Sequence, residues 1–239
     1  DGANRGHFAR FVSENFTDIK YIGCEPDPIC FESYQDNNTP KIYENYTENH
    51  NLKNKVDFIY SCHTLEHVDS VYDHMKKISS SLKNEGILFL DLPNTENINY
   101  EDLIFEEYFV EKHKYNFMLD DVLNILFFSG FRSNIIHSDP FNITIVAKKI
   151  DDSSFQLSKA KSSEEKINKR VKEVLEYYEK MERSNEAFKN ICENINNFKK
   201  NSSVVFYGGG RLLLSFISKG LNSQNIEAVI DNYLFDKTK

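Results

Sequence analysis

The chain has 239 residues, 40% of them hydrophobic and 28% charged, with a formal net charge of −8. That apolar fraction can close a core, which excludes wholesale disorder, and the length allows one large domain or two modest ones. No dense Lys/Arg block offers a nucleic-acid surface, and no run of about eighteen apolar residues can span a bilayer. The four cysteines, Cys24, Cys30, Cys62 and Cys192, form no CxxC pair. A zinc knuckle within these residues is therefore excluded, and a reducing, cytoplasmic setting is expected.

The first block, about residues 1–150, alternates short apolar runs with helical patterns. His7 to Phe16 places Phe8, Phe11, Val12 and Phe16 three and four apart, the mark of an amphipathic helix. Tyr21-Ile22-Gly23-Cys24 reads as a strand, as does Val56-Asp57-Phe58-Ile59-Tyr60. Val71, Met75, Ile78 and Leu82 predict a second helix, and Gly86-Ile87-Leu88-Phe89-Leu90 a third strand, stopped by Pro93-Asn94. Such alternation implies a parallel sheet covered on both faces. Phe131–Ile136 and Asn142–Ala147 flank Ser138-Asp139-Pro140 and read as a closing hairpin.

The second block, 151–202, is a charged linker and a long helix. Ile167, Val171, Val174, Tyr178, Met181, Asn185, Phe188, Cys192 and Ile195 alternate in steps of four and three, a heptad seam. Leu175, Ile191 and Phe198 widen it, which favours packing on a neighbouring domain over an intermolecular coiled coil. The third block, 203–239, reads as strand Ser203–Tyr207, a turn at Gly208-Gly209-Gly210, a helix over Leu212–Ile217 and strand Ile226–Asp231. One βαβ unit is too little sheet to fold alone. The chain opens at Asp1 inside what reads as a motif and stops after this unit, so further residues are expected on both sides.

Asp1-Gly2-Ala3-Asn4-Arg5-Gly6-His7-Phe8 is a Gly-rich turn running into a helix, where the backbone can approach a ligand and free N–H groups await an anion. Glu25 ends the second strand in Gly23-Cys24-Glu25-Pro26-Asp27. An acid about 20 residues beyond such a turn can hold ribose hydroxyls. Together they point to a nucleoside cofactor; the competing reading of Glu25 is a solvated carboxylate at a strand end. A nicotinamide-dependent oxidoreductase shares the pattern, but Ala3 and Asn4 follow Gly2, so the GxGxxG spacing is missing.

The segments DGANRGHF, GCEPDP and VDFIYSCHTLEHV followed by GILFLDLPN resemble the class I S-adenosylmethionine-dependent methyltransferases over about residues 1–150. The resemblance implies an α/β fold with a Rossmann-like methyltransferase sheet, mostly parallel and closed by an antiparallel hairpin. It implies S-adenosyl-L-methionine as cofactor and S-adenosyl-L-homocysteine as product. By resemblance the glycine turn, Asp1, Gly2, Asn4 and Gly6, holds the methionine end, Glu25 the ribose, and Ser61, Cys62 and His63 lie beside cofactor and substrate.

A narrower resemblance begins at Phe105-Glu106-Glu107-Tyr108-Phe109. Glu111-Lys112-His113-Lys114-Tyr115-Asn116-Phe117 looks like the E-H-x-x-x-F segment of small-molecule methyltransferases, with Lys112 inserted. In the sugar C-methyltransferases this region lines the substrate pocket and supplies a histidine base. Those enzymes also carry a second Rossmann-like domain after a long helix, which Tyr207-Gly208-Gly209-Gly210-Arg211 and Val229-Ile230-Asp231-Asn232 resemble. Their N-terminal zinc domain has no counterpart in these residues. The resemblance implies transfer to a small-molecule acceptor, most simply a nucleotide-linked sugar. His113, Tyr115 and His67 are the catalytic candidates, and Lys112 and Lys114 would lower the His113 pKa and attract phosphates. Neither nucleic acid nor membrane is an expected partner; a homodimer through the long helix is the alternative to its packing within the chain.

His63 and His67 sit four apart, the spacing of a metal pair on a helix, but Glu66 would then point to another face, so no metal is expected. His7, His50, His74 and His137 show no partner pattern and read as surface residues. The rival of another class is a non-catalytic methyltransferase-like protein assembling through the heptad helix. Intact Gly2, Gly6 and Glu25 weigh against it.

Overall fold

The computed structural model describes residues 1–4, 6–27, 30, 42–44, 52–96, 98, 113–150, 156, 163–198, 204–209 and 211–231. The expectations for Arg5, His50, Phe105 to Lys112, Ser203, Gly210 and Asn232 lie outside the described residues. The chain divides into two units, one of Asp1–Tyr100 with Phe105–Glu164 and one of Glu101–Ile104 with Glu165–Lys239.

In the first unit, α1 (His7–Asn15) leads to β1 (Gly23–Glu25), which pairs in parallel with β2 (Ile42–Glu44). β3 (Val56–Cys62), α2 (Val71–Ser81) and β4 (Leu82–Pro93) follow, then α3 (Leu119–Phe128) and the hairpin β5 (Phe131–Ser138) and β6 (Asn142–Lys149). The larger sheet runs β3-β4-β6-β5. β3 and β4 are parallel, whereas β6 runs antiparallel to both β4 and β5. The sheet is therefore mixed rather than mostly parallel. The cause is that β6 inserts between β4 and β5, so the hairpin supplies two of the three pairings.

Alternation along β4 and β6 buries Leu88, Leu90, Leu92, Ile143, Ile145 and Ala147 on one face. α2 covers that face with Met75 and Ile78, and α3 with Val122 and Leu126. Side chains this deeply buried each contribute roughly 1.5–3 kcal/mol. The opposite face carries a row of aromatics. Phe8 of α1 stacks on Tyr60 at 4.2 Å between centroids, and Tyr60 stacks on Phe89 at 5.1 Å. α1 covers the opposite face at Tyr60 and Phe89, while Phe58 and Ile136 of the sheet remain exposed.

Local rules set the boundaries. Ser70 caps α2 by accepting the Asp73 N–H at 3.1 Å. The β5–β6 turn is fixed by Asp139, whose Oδ1 accepts the N–H groups of Phe141 and Asn142. Those bonds hold its carboxyl below the usual range. Lys149 is fully buried at the end of β6, and its ammonium donates to the carbonyls of Ser79 and Leu82 at 2.6 and 2.8 Å. It thereby satisfies the orphan carbonyls at the C-terminus of α2.

The second unit holds α4 (Glu164–Asn197), β7 (Val204–Tyr207), α5 (Arg211–Ser218) and β8 (Ile226–Ile230), with β7 and β8 parallel. The heptad seam of α4 divides. Cys192 and Ile195 pack with Leu213, Phe216 and Leu221, and Phe188 lies 4.9 Å from the Phe216 ring. Asn196 clamps the turn after α5, donating to Gly220 O and accepting from Asn222 N. The earlier seam residues Ile167, Val171 and Tyr178 are exposed. No helix among the described residues is long and apolar enough to cross a membrane.

Candidate functional site

The glycine turn bridges two strand ends. The Ala3 N–H donates to Cys24 O in β1 at 2.9 Å, while the Asp1 carboxylate accepts from Ser61 Oγ of β3 at 2.8 Å. His74 Nε2 stands 2.9 Å from the same Asp1 oxygen. His74 is thus buried in the turn's support, not at the surface as its sequence context suggests. It shares the inward face of α2 with Met75 and Ile78. Asp1 and Ser61 both sit inside this network, with their side chains holding the turn in place.

Gly2, Asn4 and Gly6 all take left-handed backbone conformations, with φ of 63°, 46° and 72°. Gly6 forms the N-cap of α1, where no side chain caps the helix and the first turn holds no acid. Glu25 is buried at the tip of β1. Its Oε2 accepts the Asn4 N–H at 2.6 Å and its Oε1 accepts the Asp27 N–H at 2.9 Å. Each oxygen keeps lone pairs for a further donor. The predicted pairing of turn and acid is therefore a direct contact. Free N–H groups at a helix N-terminus can receive a carboxylate, and a strand-end carboxylate can receive hydroxyls.

The second part of the site lies beyond the carboxyl ends of β3 and β4, the usual ligand crevice of an open α/β sheet. Cys62 pairs with Asp91 across the strands, and the His63 N–H donates to Asp91 O at 2.9 Å. Asp91 accepts from Cys62 Sγ at 3.4 Å and from Thr144 Oγ1 at 2.8 Å. Burial pushes the Cys62 thiol up, aided by the Asp91 and Glu66 carboxylates, so it stays protonated and donates. Burial likewise pushes the Tyr60 phenol up to about 12.

Residues 63–70 form turns rather than a helix, and α2 starts at Val71. This overturns the expectation that Glu66 faces away from the histidines. His63 takes a left-handed φ of 47° within these turns. Glu66 Oε1 lies 3.4 Å from His63 Nδ1 and 3.8 Å from His67 Nε2. The Glu66 carboxylate raises the His63 pKa against the opposing effect of burial.

His113 joins this cluster through the backbone. Glu66 O accepts the N–H groups of Lys114 and Tyr115 at 2.8 and 3.2 Å. Thr95 anchors the same segment from the end of β4, with its N–H and Oγ1 both donating to Phe117 O. The His67 and His113 rings meet edge to face, 4.8 Å apart. Tyr115 Oη donates to Asp69 O at 3.0 Å, and the Lys114 ammonium pairs with the Asp69 carboxylate. Lys114 is therefore compensated locally rather than left to act on His113 alone. The three catalytic candidates are brought together, and Glu66, Asp69 and Asp91 are the neighbours that sequence reasoning passed over. The H-x-x-E-H spacing carried the signal for Glu66, hidden by the assumption of a helix.

The family model described as a methyltransferase domain matches residues 2–123. The chain belongs to this methyltransferase-domain family. Over 62% of its length the chain shares the fold of solved S-adenosylmethionine-dependent methyltransferases. One, from Archaeoglobus fulgidus, superposes with a TM-score of 0.52 at 18% identity, covering 62% of this chain and 83% of that one. Another, from Mesorhizobium loti, gives 0.51 at 14% identity over 62% of this chain and 88% of the other. None of the curated proteins matches the chain.

The methyltransferase turn leaves no room for a side chain at Gly2. A Cβ there would press into Thr64 Oγ1 and lie 3.3 Å from Thr64 Cβ, at a φ that L-residues avoid. Gly2→Ala is expected to destabilise the fold by more than about 1 kcal/mol in urea denaturation. The loss should be smaller in a Thr64→Ala background, because the clash is shared.

Proposed function

We propose that this methyltransferase passes the methyl group of S-adenosylmethionine to a small-molecule acceptor, a carbohydrate and most simply a nucleotide-linked sugar. The observation that carries the reading is the single turn, Asp1 to Gly6, tying the ribose-holding acid of β1 to the strand end that bears the histidine cluster. The carbohydrate class rests on the resemblance of the His113 segment and of the second αβ unit to the sugar methyltransferases.

Bound S-adenosylmethionine supplies a methyl group already activated on a sulfonium. The protein's own work is to hold, align and deprotonate. Glu25 accepts the ribose hydroxyls through its remaining lone pairs, and the N–H groups at the start of α1 take the amino acid carboxylate. His67 and His113 face the acceptor and handle its proton, with Tyr115 held by Asp69 to shape the wall. Alignment contributes most of the acceleration and a positioned base the rest.

Calorimetry with S-adenosylhomocysteine tests the cofactor half. Glu25→Ala is expected to weaken binding by roughly 1.5–3 kcal/mol, the value of charge-assisted hydrogen bonds. Unchanged affinity would remove Glu25 from the site, and preference for a nicotinamide dinucleotide would remove the reading itself. His113→Ala tests the acceptor half on a panel of nucleotide-linked sugars followed by mass spectrometry. Cofactor affinity should persist while turnover falls about 10²–10⁴-fold.

The exposed Ile167, Val171 and Tyr178 of α4 support a homodimer through the first half of that helix. Sedimentation of the wild type should then show a dimer that Val171→Asp splits into monomers. A wild type that is monomeric at every concentration would refute the dimer.

A further inference from the structure

Glu66 poses a physical problem that the methyltransferase reading leaves open. It is 1% exposed, and neither carboxylate oxygen has a hydrogen-bond partner among the described residues. Burying a carboxylate carries a large desolvation cost; the His63 imidazole 3.4 Å from Oε1 offsets part of it, and a bound cation would offset the rest. The groups around it are of metal-ligating types. Glu66, His67 and His113 each offer one ligand atom, and the three atoms all lie within 4.8 Å of one another. The neighbouring trio Cys62, His63 and Asp91 is also close, but Asp91 already accepts from Cys62 and Thr144.

We propose that Glu66, His67 and His113 form a divalent-cation site of the zinc or iron(II) class, open to an oxygen of the methyl acceptor. Ligand atoms about 2.0–2.1 Å from such an ion stand roughly 3–4 Å apart. Glu66 Oε1 and His67 Nε2 are already 3.8 Å apart. His113 is pinned beside them by the hydrogen bonds of Lys114 and Tyr115 to Glu66 O. Turning two partly exposed imidazoles completes the approach. Two imidazoles and one carboxylate are a ligand set that suits these metals and leaves coordination positions for water or substrate.

The role of the site in turnover rests on the methyltransferase reading; cation binding does not. In turnover with the cation bound, His67 and His113 serve as its ligands in place of taking the acceptor proton themselves. An acceptor hydroxyl bound there has a lowered pKa and releases its proton to water. The oxygen lone pair then forms the new bond to the methyl carbon as the carbon–sulfur bond breaks, and that electron pair stays on sulfur.

The test uses the untagged chain, stripped with a chelator and titrated with Co²⁺, read by visible absorption. One Co²⁺ per chain is expected, displaced by Zn²⁺. Glu66→Gln and His113→Ala should each weaken binding by at least the ~10-fold that even outer-shell losses cause. His137→Ala, a histidine on β5 far along the sequence, should leave it unchanged. Absence of stoichiometric Co²⁺, or equal loss in His137→Ala, overturns the site. So does unchanged affinity in both Glu66→Gln and His113→Ala, the latter covering the case in which the buried substitution fails to fold. Calorimetry of the stripped wild type with S-adenosylhomocysteine separates the two ideas. Cofactor binding without Co²⁺ binding removes the cation site alone; Co²⁺ binding without cofactor binding removes the methyltransferase role alone.

Discussion

The parallel pairing of β3 with β4 governs where the chemistry of this protein is assembled. Because Ser61 and Cys62 lie level with Leu90 and Asp91, both strands end at one rim. The turn after β3 and the loop after β4 are then obliged to meet there. Asp91 O receives His63 N–H from one side, and Thr95 holds Phe117 from the other. The histidine cluster is a consequence of this register. A slip of one residue would send Asp91 to the opposite face of the sheet and separate the two loops.

A second constraint acts through the first six residues. Their left-handed backbone at three positions makes a turn tight enough to touch β1, β3 and α2 at once. The acid of Asp1 is directed inward at Ser61 and His74, while Glu25 grips the turn from outside. The two carboxylates thus divide the work: one fixes the turn to β3 and α2, the other fixes it to the tip of β1. Close packing of Gly2 on Thr64 then couples the turn to the loop that carries His63, Glu66 and His67.

The second unit is built on a different principle. Its small parallel pair gains a core only because α4 brings Cys192 and Ile195 against α5. The remaining length of α4 is stabilised by pairs such as Lys169–Glu173 and Lys172–Glu176, each four residues apart, and these contribute only a few tenths of a kcal/mol apiece. At its turn, Gly209 N–H donates to Asp231 Oδ2 at 2.6 Å. This repeats in miniature the contact of Asn4 with Glu25.

Periodicity and turn chemistry in the sequence determined much of this architecture. The amphipathic spacing of α1 and α2, the apolar runs of β3 and β4, and the Ser-Asp-Pro turn between β5 and β6 are local signals, and local physics is enough to read them. The pairing of a glycine turn with Glu25 was legible for the same reason, since a strand and a helix of standard length separate them. Tertiary structure alone decided the rest. β2 is three residues long and has too short a pattern to announce itself. β6 sits between β4 and β5 because hairpin return and sheet order are long-range choices, which made the sheet mixed. His74 looked like a surface residue because its burial depends on which way α2 faces. Glu66 looked misdirected because a helix was assumed where the chain makes turns. That error hid the cluster of Glu66, His67 and His113, whose third member arrives from a distant segment.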